Sequence, residues 1–189
     1  MGNVIILLVG RSASGKSTVC KYLEEKEGWK VVKSYTTRPM RPKDKNDRFT
    51  HTFVGKDEFD ALENKCAYTY FDGCEYCATS KQVDESDIYV IDPKGVKYFR
   101  EHYVGRKRAI VVCLDAKREE IIKRMKTRGD SKEAIEQRLM NDAKEFDDFY
   151  DFNYLIPSCT TKQCADIIKM IKERKENEED LKRVMRRLP

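Results

Sequence analysis

No apolar stretch in this 189-residue chain is long enough to cross a membrane, since runs such as Val4–Val9 and Ala109–Leu114 stop at six residues. The first run also lacks the basic lead of a secretory signal, so a cytosolic chain is expected. Charge of one sign is not in excess: 38 basic residues stand against 33 acidic ones, and the net charge of +5 is spread through mixed segments. That balance excludes the basic groove of a nucleic-acid binder and suits an enzyme whose ligands are anions. Histidine is scarce. With only His51 and His102, no His–Asp pair stands out for acid–base work. Seven cysteines are an odd number, and a reducing compartment with free thiols is expected. Cys74-x-x-Cys77 lacks the second pair of a zinc site, so a reduced cluster with Cys66 is expected over a four-ligand set including His51. No internal repeat is present.

What is present begins at Gly10-Arg11-Ser12-Ala13-Ser14-Gly15-Lys16-Ser17, which fits G-x-x-x-x-G-K-[ST]. An apolar run enters it and a helical pattern over 17–26 leaves it, and strand, glycine-rich turn and helix together form the context of a phosphate-binding P-loop. Gly10, Ser12, Ala13, Ser14, Gly15, Lys16, Ser17 and Thr18 are the expected ATP-binding residues. Backbone N–H groups and the helix dipole point at phosphate oxygens. Lys16 reaches the β- and γ-phosphates, and the Ser17 hydroxyl completes a Mg²⁺ shell.

Short apolar runs at 3–9, 29–32, 88–91, 109–114 and 154–156 predict five parallel strands. Helical patterns at 17–26, 94–103, 116–127, 132–148 and 161–185 alternate with them. The fold expected is α/β, a doubly wound five-stranded parallel sheet of P-loop NTPase type. Two segments interrupt the alternation. Residues 34–79 carry a short helix near 57–64 and β-like pieces, and are set apart as a subdomain. Residues 124–140, rich in arginine around Gly129, read as a lid on a core formed by 1–33 and 80–189. The last helix is charged from 172 to 180. It then shows Leu181, Val184, Met185 and Leu188, a stripe suited to a second subunit, so a monomer or a homodimer is expected.

Ser34-Tyr35-Thr36-Thr37-Arg38-Pro39-Met40-Arg41-Pro42 places two arginines in a proline-stiffened loop. By itself this is either a basic surface loop or a fork for one phosphate. With the P-loop, it resembles the guanylate kinase family, whose S-x-T-T-R-x-P-R follows the P-loop and precedes a Y-x-F-V stretch, a Y-G-[ST] stretch, D-x-Q-G and an arginine-rich lid. The resemblance covers about residues 4–156. It implies transfer of the γ-phosphoryl group of ATP, with Mg²⁺, to a nucleoside monophosphate, GMP or dGMP in the family. By position, Ser34, Arg38, Arg41 and Tyr76 resemble the acceptor clamp, with His51 in place of a phosphate-binding tyrosine. Asp92 resembles the acid after the third core strand. Arg124, Arg128 and Arg138 resemble the lid arginines that, with Lys16, carry catalysis.

The departures concern the base. Ala67 stands where the family has a guanine-reading glutamate. Ala78 replaces a hydroxyl, Cys77 a glycine, and Val90 the first acid before D-x-Q-G. Ala67 and Ala78 are expected to face the base pocket. Either the acceptor base differs, or Thr69, Asp72, Glu75 or Thr79 reads guanine instead. A module that has lost catalysis and binds a phosphorylated partner is the alternative, against which an intact Lys16-Ser17 argues. Asp92-Pro93-Lys94-Gly95 also reads D-x-x-G, but the chain has no N-K-x-D to make it a GTPase.

Overall fold

Every residue of β1 (Val4–Gly10) is buried, as expected of a central strand covered on both faces. The computed structural model describes residues 2–40, 47–71 and 73–185, with backbone alone for 47–48 and 179–185. Successive β1 side chains point to opposite faces and divide the core in two. Val4, Ile6 and Leu8 pack against Val19, Cys20 and Leu23 of α1 (Lys16–Glu27) and against Ala165 and Ile168 of the last helix. Ile5, Leu7 and Val9 pack against Val96 and Phe99 on the other face. Each such aliphatic side chain contributes roughly 1.5–3 kcal/mol by leaving water.

After α1 the chain runs through β2 (Ser34–Thr36), α2 (Asp47–Thr50), β3 (His51–Phe53), α3 (Lys56–Asp60), β4 (Lys65–Phe71), β5 (Cys74–Thr79) and α4 (Ser80–Asp84). It returns to the core with β6 (Ile88–Val90), α5 (Pro93–His102), β7 (Arg108–Asp115), α6 (Arg118–Arg128), α7 (Lys132–Phe146), β8 (Tyr154–Pro157) and α8 (Thr161–Met185). The core sheet has the order β6-β1-β7-β8, all pairs parallel. Helices α1 and α8 cover one face and α5 the other.

The expected strand at 29–32 does not form. Among the described residues the core sheet has four strands, and the fifth segment contributes one isolated bridge, Val31 with Ile88. The cause is local. Gly28 ends α1 in the left-handed region (φ 68°), Trp29 N–H still bonds back to Leu23 O, and three residues after Val31 the chain enters β2 of another sheet. The segment is held to the edge by Val32 N–H on Ile88 O and Asp87 N–H on Lys30 O.

Residues 34–79 build that second sheet, of order β3-β2-β5-β4. It pairs β2 with β3 in parallel and with β5 antiparallel, and β4 with β5 as a hairpin. Gly73, at φ 75°, occupies the hairpin turn, where a side chain would be strained. The short helix ends at Asp60 rather than 64, because Asn64 turns left-handed (φ 53°) to start β4. Helices α6 and α7 form a hairpin with its own small core of Ile121, Met125 and Ile135, against which Ala13 of the P-loop packs. Helix α8 runs over the predicted range; the stripe at Leu181, Val184, Met185 and Leu188 lies outside the described side chains.

Candidate active site

The order β6-β1 puts the turn after β1 beside the residue after β6, and a crevice opens at the carboxyl ends of these strands. Gly15 begins α1 in a left-handed conformation (φ 106°) with no side chain capping the helix, so the first N–H groups of α1 are left to the turn. A side chain at Gly10 would meet Leu114 O and Ser14 Oγ at 2.8 Å each, so the loop closes only with glycine there. Lys16 curls over this turn. Its Nζ donates to Gly10 O (2.5 Å), Arg11 O (2.9 Å) and Ser14 Oγ (3.4 Å). Burial lowers its pKa, opposed by the negative charge of Asp142.

Two cavities meet at Lys16. The smaller, about 370 Å³, is lined by Ala13 to Val19, with Arg124, Arg128, Cys159, Thr161 and Cys164. The larger, about 510 Å³, lies between the core, the second sheet and α7, and Lys16, Gly10 and Ser12 border it too. Lys16 is thus common to both.

Arg124, Arg128 and Arg138, the arginines expected in a lid, divide between the cavities. Arg124 donates to Ala13 O and Ser14 O (3.1 Å each) and pairs with Glu120 (3.3 Å). Arg128 pairs with Asp130, and Arg138 reaches the same carboxylate from α7 at 3.8 Å. Arg138 lines the larger cavity, and the other two the smaller.

In the larger cavity Ser34, His51, Tyr76 and Asp92 come together. The buried Ser34 hydroxyl bonds to Thr50 O (3.3 Å) and shares a hydrogen bond with His51 Nδ1 (2.9 Å), and the His51 ring leans on Tyr76. Asp92 caps α5 by accepting the Gly95 N–H (2.5 Å), and the same oxygen takes the Thr69 hydroxyl at 3.1 Å. Burial raises the Asp92 pKa against these bonds. Arg38 is not part of this wall: its guanidinium lies over the Phe53 ring and donates to Pro39 O at 2.9 Å. Arg41 lies outside the described residues.

Several wall residues were not foreseen. Helix α7 turns a stripe of Ala134, Gln137, Arg138, Asn141, Asp142 and Glu145 to the larger cavity. The i, i+3, i+4, i+7 spacing from Arg138 was the available signal. Buried Asp142 takes the Ser12 N–H and hydroxyl, and burial plus the nearby Asp92 charge raise the Glu145 pKa. Cys66 and Cys77 are buried thiols pushed up to about 12 by that burial. Among the described residues no group of three or more His, Cys, Asp or Glu side chains is arranged for a metal ion.

A family model described as an AAA domain matches residues 6–147. A guanylate kinase of Helicobacter pylori is 33% identical over 179 residues, spanning 88% of this chain and 85% of that protein. This chain belongs to the guanylate kinase family. The crystal structure of guanylate kinase from Anaplasma phagocytophilum superposes with a TM-score of 0.63 at 21% identity, covering 93% of this chain and 87% of that one. A gluconokinase from Sinorhizobium meliloti 1021 gives 0.54 at 14% identity, covering 95% and 97%. At those identities the two structures speak for the α/β fold alone.

Against the guanylate kinase pattern, β4 and β5 pair Ala67 with Ala78 directly. Ala67 lines the larger cavity, whereas Ala78 is fully buried in the core and does not. Both alanines belong to the core cluster, and of the two only Ala67 also borders the larger cavity.

Proposed function

We propose that the chain is an ATP-dependent nucleoside-monophosphate kinase, with donor triphosphate in the smaller cavity and acceptor monophosphate in the larger. The observation that carries this reading is Lys16 at the boundary of both. A phosphoryl group passing between the cavities passes that ammonium. The acceptor is already an anionic phosphate oxygen, so positioning and charge neutralisation supply most of the catalysis and no histidine base is needed.

On this reading Lys16 leaves the carbonyls of Gly10 and Arg11 for phosphate oxygens when donor binds. Arg124 and Arg128 meet the donor phosphates, and Arg138 the acceptor side. Asp130, which holds Arg128 and Arg138 together, keeps donor and acceptor arginines in step. The α6–α7 hairpin serves as a lid that excludes water, which otherwise competes as acceptor. Ser34, His51, Tyr76, Arg38 and Arg41 form the clamp on the acceptor phosphate, with Arg38 swinging from Phe53 to complete it. Ser17 fits Mg²⁺: it lines the smaller cavity beside Lys16, and this ion needs few protein ligands because phosphate and water supply the rest. When bound, the ion neutralises charge on the transferring phosphates.

The acceptor base is not privileged as guanine. Ala67 offers the cavity no hydrogen bond, and the Thr69 hydroxyl donates to Asp92. Each guanine group left unpaired costs about 1–3 kcal/mol. Lys16→Ala tests the donor half: ADP release in the presence of Mg²⁺ and monophosphate should fall to background with the far-UV spectrum unchanged. Retained turnover refutes the kinase reading.

A further inference from the structure

Ser158, Cys159 and Thr160 carry the chain from β8 into α8. Thr160 caps the helix through a reciprocal pair: its N–H bonds to Gln163 Oε1 (3.1 Å) and its hydroxyl accepts the Gln163 N–H (3.3 Å). Such a box brings the residue before the cap onto the fourth residue of the helix, a contact usually made by two apolar side chains. Here both are cysteines, Cys159 and Cys164. Both side chains belong to the same core cluster, and both thiols are free. Cys164 is buried against the core; Cys159 is half-exposed. Both line the smaller cavity, with Lys16, Arg124 and Arg128.

From this pair a continuous set of contacts runs to the P-loop. The hydroxyl of Ser158, next to Cys159, donates to Glu120. Glu120 pairs with Arg124, and Arg124 donates to Ala13 O and Ser14 O. A displacement of Cys159 is therefore felt at the arginine that touches the phosphate loop.

We propose that Cys159 and Cys164 are a redox pair that hydrogen peroxide closes to an intramolecular disulfide, and that closure weakens use of ATP at the adjoining cavity. The half-exposed Cys159 sulfur attacks one peroxide oxygen. The O–O bond breaks, the sulfur becomes a sulfenic acid, and one water leaves with the thiol proton. The Cys164 sulfur then attacks the sulfenic sulfur and displaces its hydroxyl, which leaves as a second water with the Cys164 proton. Two thiols lose two hydrogens and two electrons, and one peroxide becomes two waters. The first attack falls to the half-exposed Cys159 and not to Cys164, which is buried and whose thiol that burial pushes up to about 12. A disulfide bond of about 2.05 Å is much shorter than any non-bonded contact between two sulfurs, so closure draws Cys159 onto α8 and pulls Ser158 from Glu120.

The effect on turnover rests on the kinase reading; formation of the disulfide does not. The test treats the whole chain with hydrogen peroxide, alkylates the remaining thiols, and maps tryptic peptides without reduction. The expected product joins the peptide ending at Lys162 to the one starting at Gln163. The treated protein should bind ADP, measured by equilibrium dialysis, about tenfold more weakly, with a matching fall in kcat/KM for ATP, both restored by dithiothreitol. In Cys159→Ser and Cys164→Ala the ratio of treated to untreated values should stay near unity. Absence of the linked peptides, linked peptides with unchanged ADP affinity, or variants as sensitive to peroxide as the unsubstituted chain overturns the proposal. If the untreated chain turns over no monophosphate, the kinase reading fails, while peptide map and ADP binding still decide the pair.

Discussion

The carboxylate of Asp142, on α7, accepts both the amide N–H (2.9 Å) and the hydroxyl (3.0 Å) of Ser12 in the phosphate loop, 130 residues away in sequence. Arg11, the preceding residue, reaches Asp147 at 3.7 Å and lies over the Phe146 ring. The loop and the C-terminal half of α7 are thus held as one unit. Asp142→Ala leaves a loop amide without its acceptor, a loss of roughly 1–3 kcal/mol. Urea unfolding should show this as a lower midpoint at unchanged slope, and Asp142→Asn, which keeps one acceptor, should lose less. Equal loss in both variants contradicts the arrangement.

Ala67 is the wall residue that governs the base prediction. Because Ala67 lines the larger cavity, Ala67→Glu can direct a carboxylate into it. GMP turnover should rise relative to the other monophosphates, by about tenfold for one recovered charged hydrogen bond. Ala78→Ser, buried in the core, should change stability rather than base preference. A wild-type chain that strongly prefers GMP, and loses that preference in Ala67→Glu, places guanine recognition on other residues.

The acidic side of the cavity has a pH signature. Glu145 has its pKa raised by burial and by the Asp92 charge, so the folded state holds its proton more tightly than the unfolded chain does. Stability from this group therefore falls as pH rises from the ordinary carboxylate value through the raised one, and the deficit persists above it. Glu145→Gln should raise the urea midpoint at pH 7, and the gain should vanish as pH drops below the ordinary glutamate range. A gain independent of pH would assign it to packing.

The parts readable from sequence were those whose physics is local. The β1 run, the glycine turn and α1 follow from hydrophobic periodicity and turn chemistry, and α8 from a helical pattern that starts at a capping threonine. The missing fifth strand was not readable, because Val31 is apolar enough for a strand but lies in a short stretch between the end of α1 and the entry of the chain into the second sheet at β2. Asp142 and Asp130 escaped notice because a carboxylate on a charged helix looks like solvated surface until the fold brings Ser12, or two arginines, against it. Arg38 was visible as a phosphate-type residue, yet its position over Phe53 depends on side-chain packing that no spacing encodes.

The central claim is that a phosphoryl group crosses from the smaller cavity to the larger past Lys16. It is tested most directly by coupled ADP release from ATP and Mg²⁺, against a panel of every common nucleoside and deoxynucleoside monophosphate. The account predicts acceleration by at least one monophosphate, several-fold or more above the rate with ATP alone, with the matching diphosphate as product. ADP release that no monophosphate accelerates would contradict it.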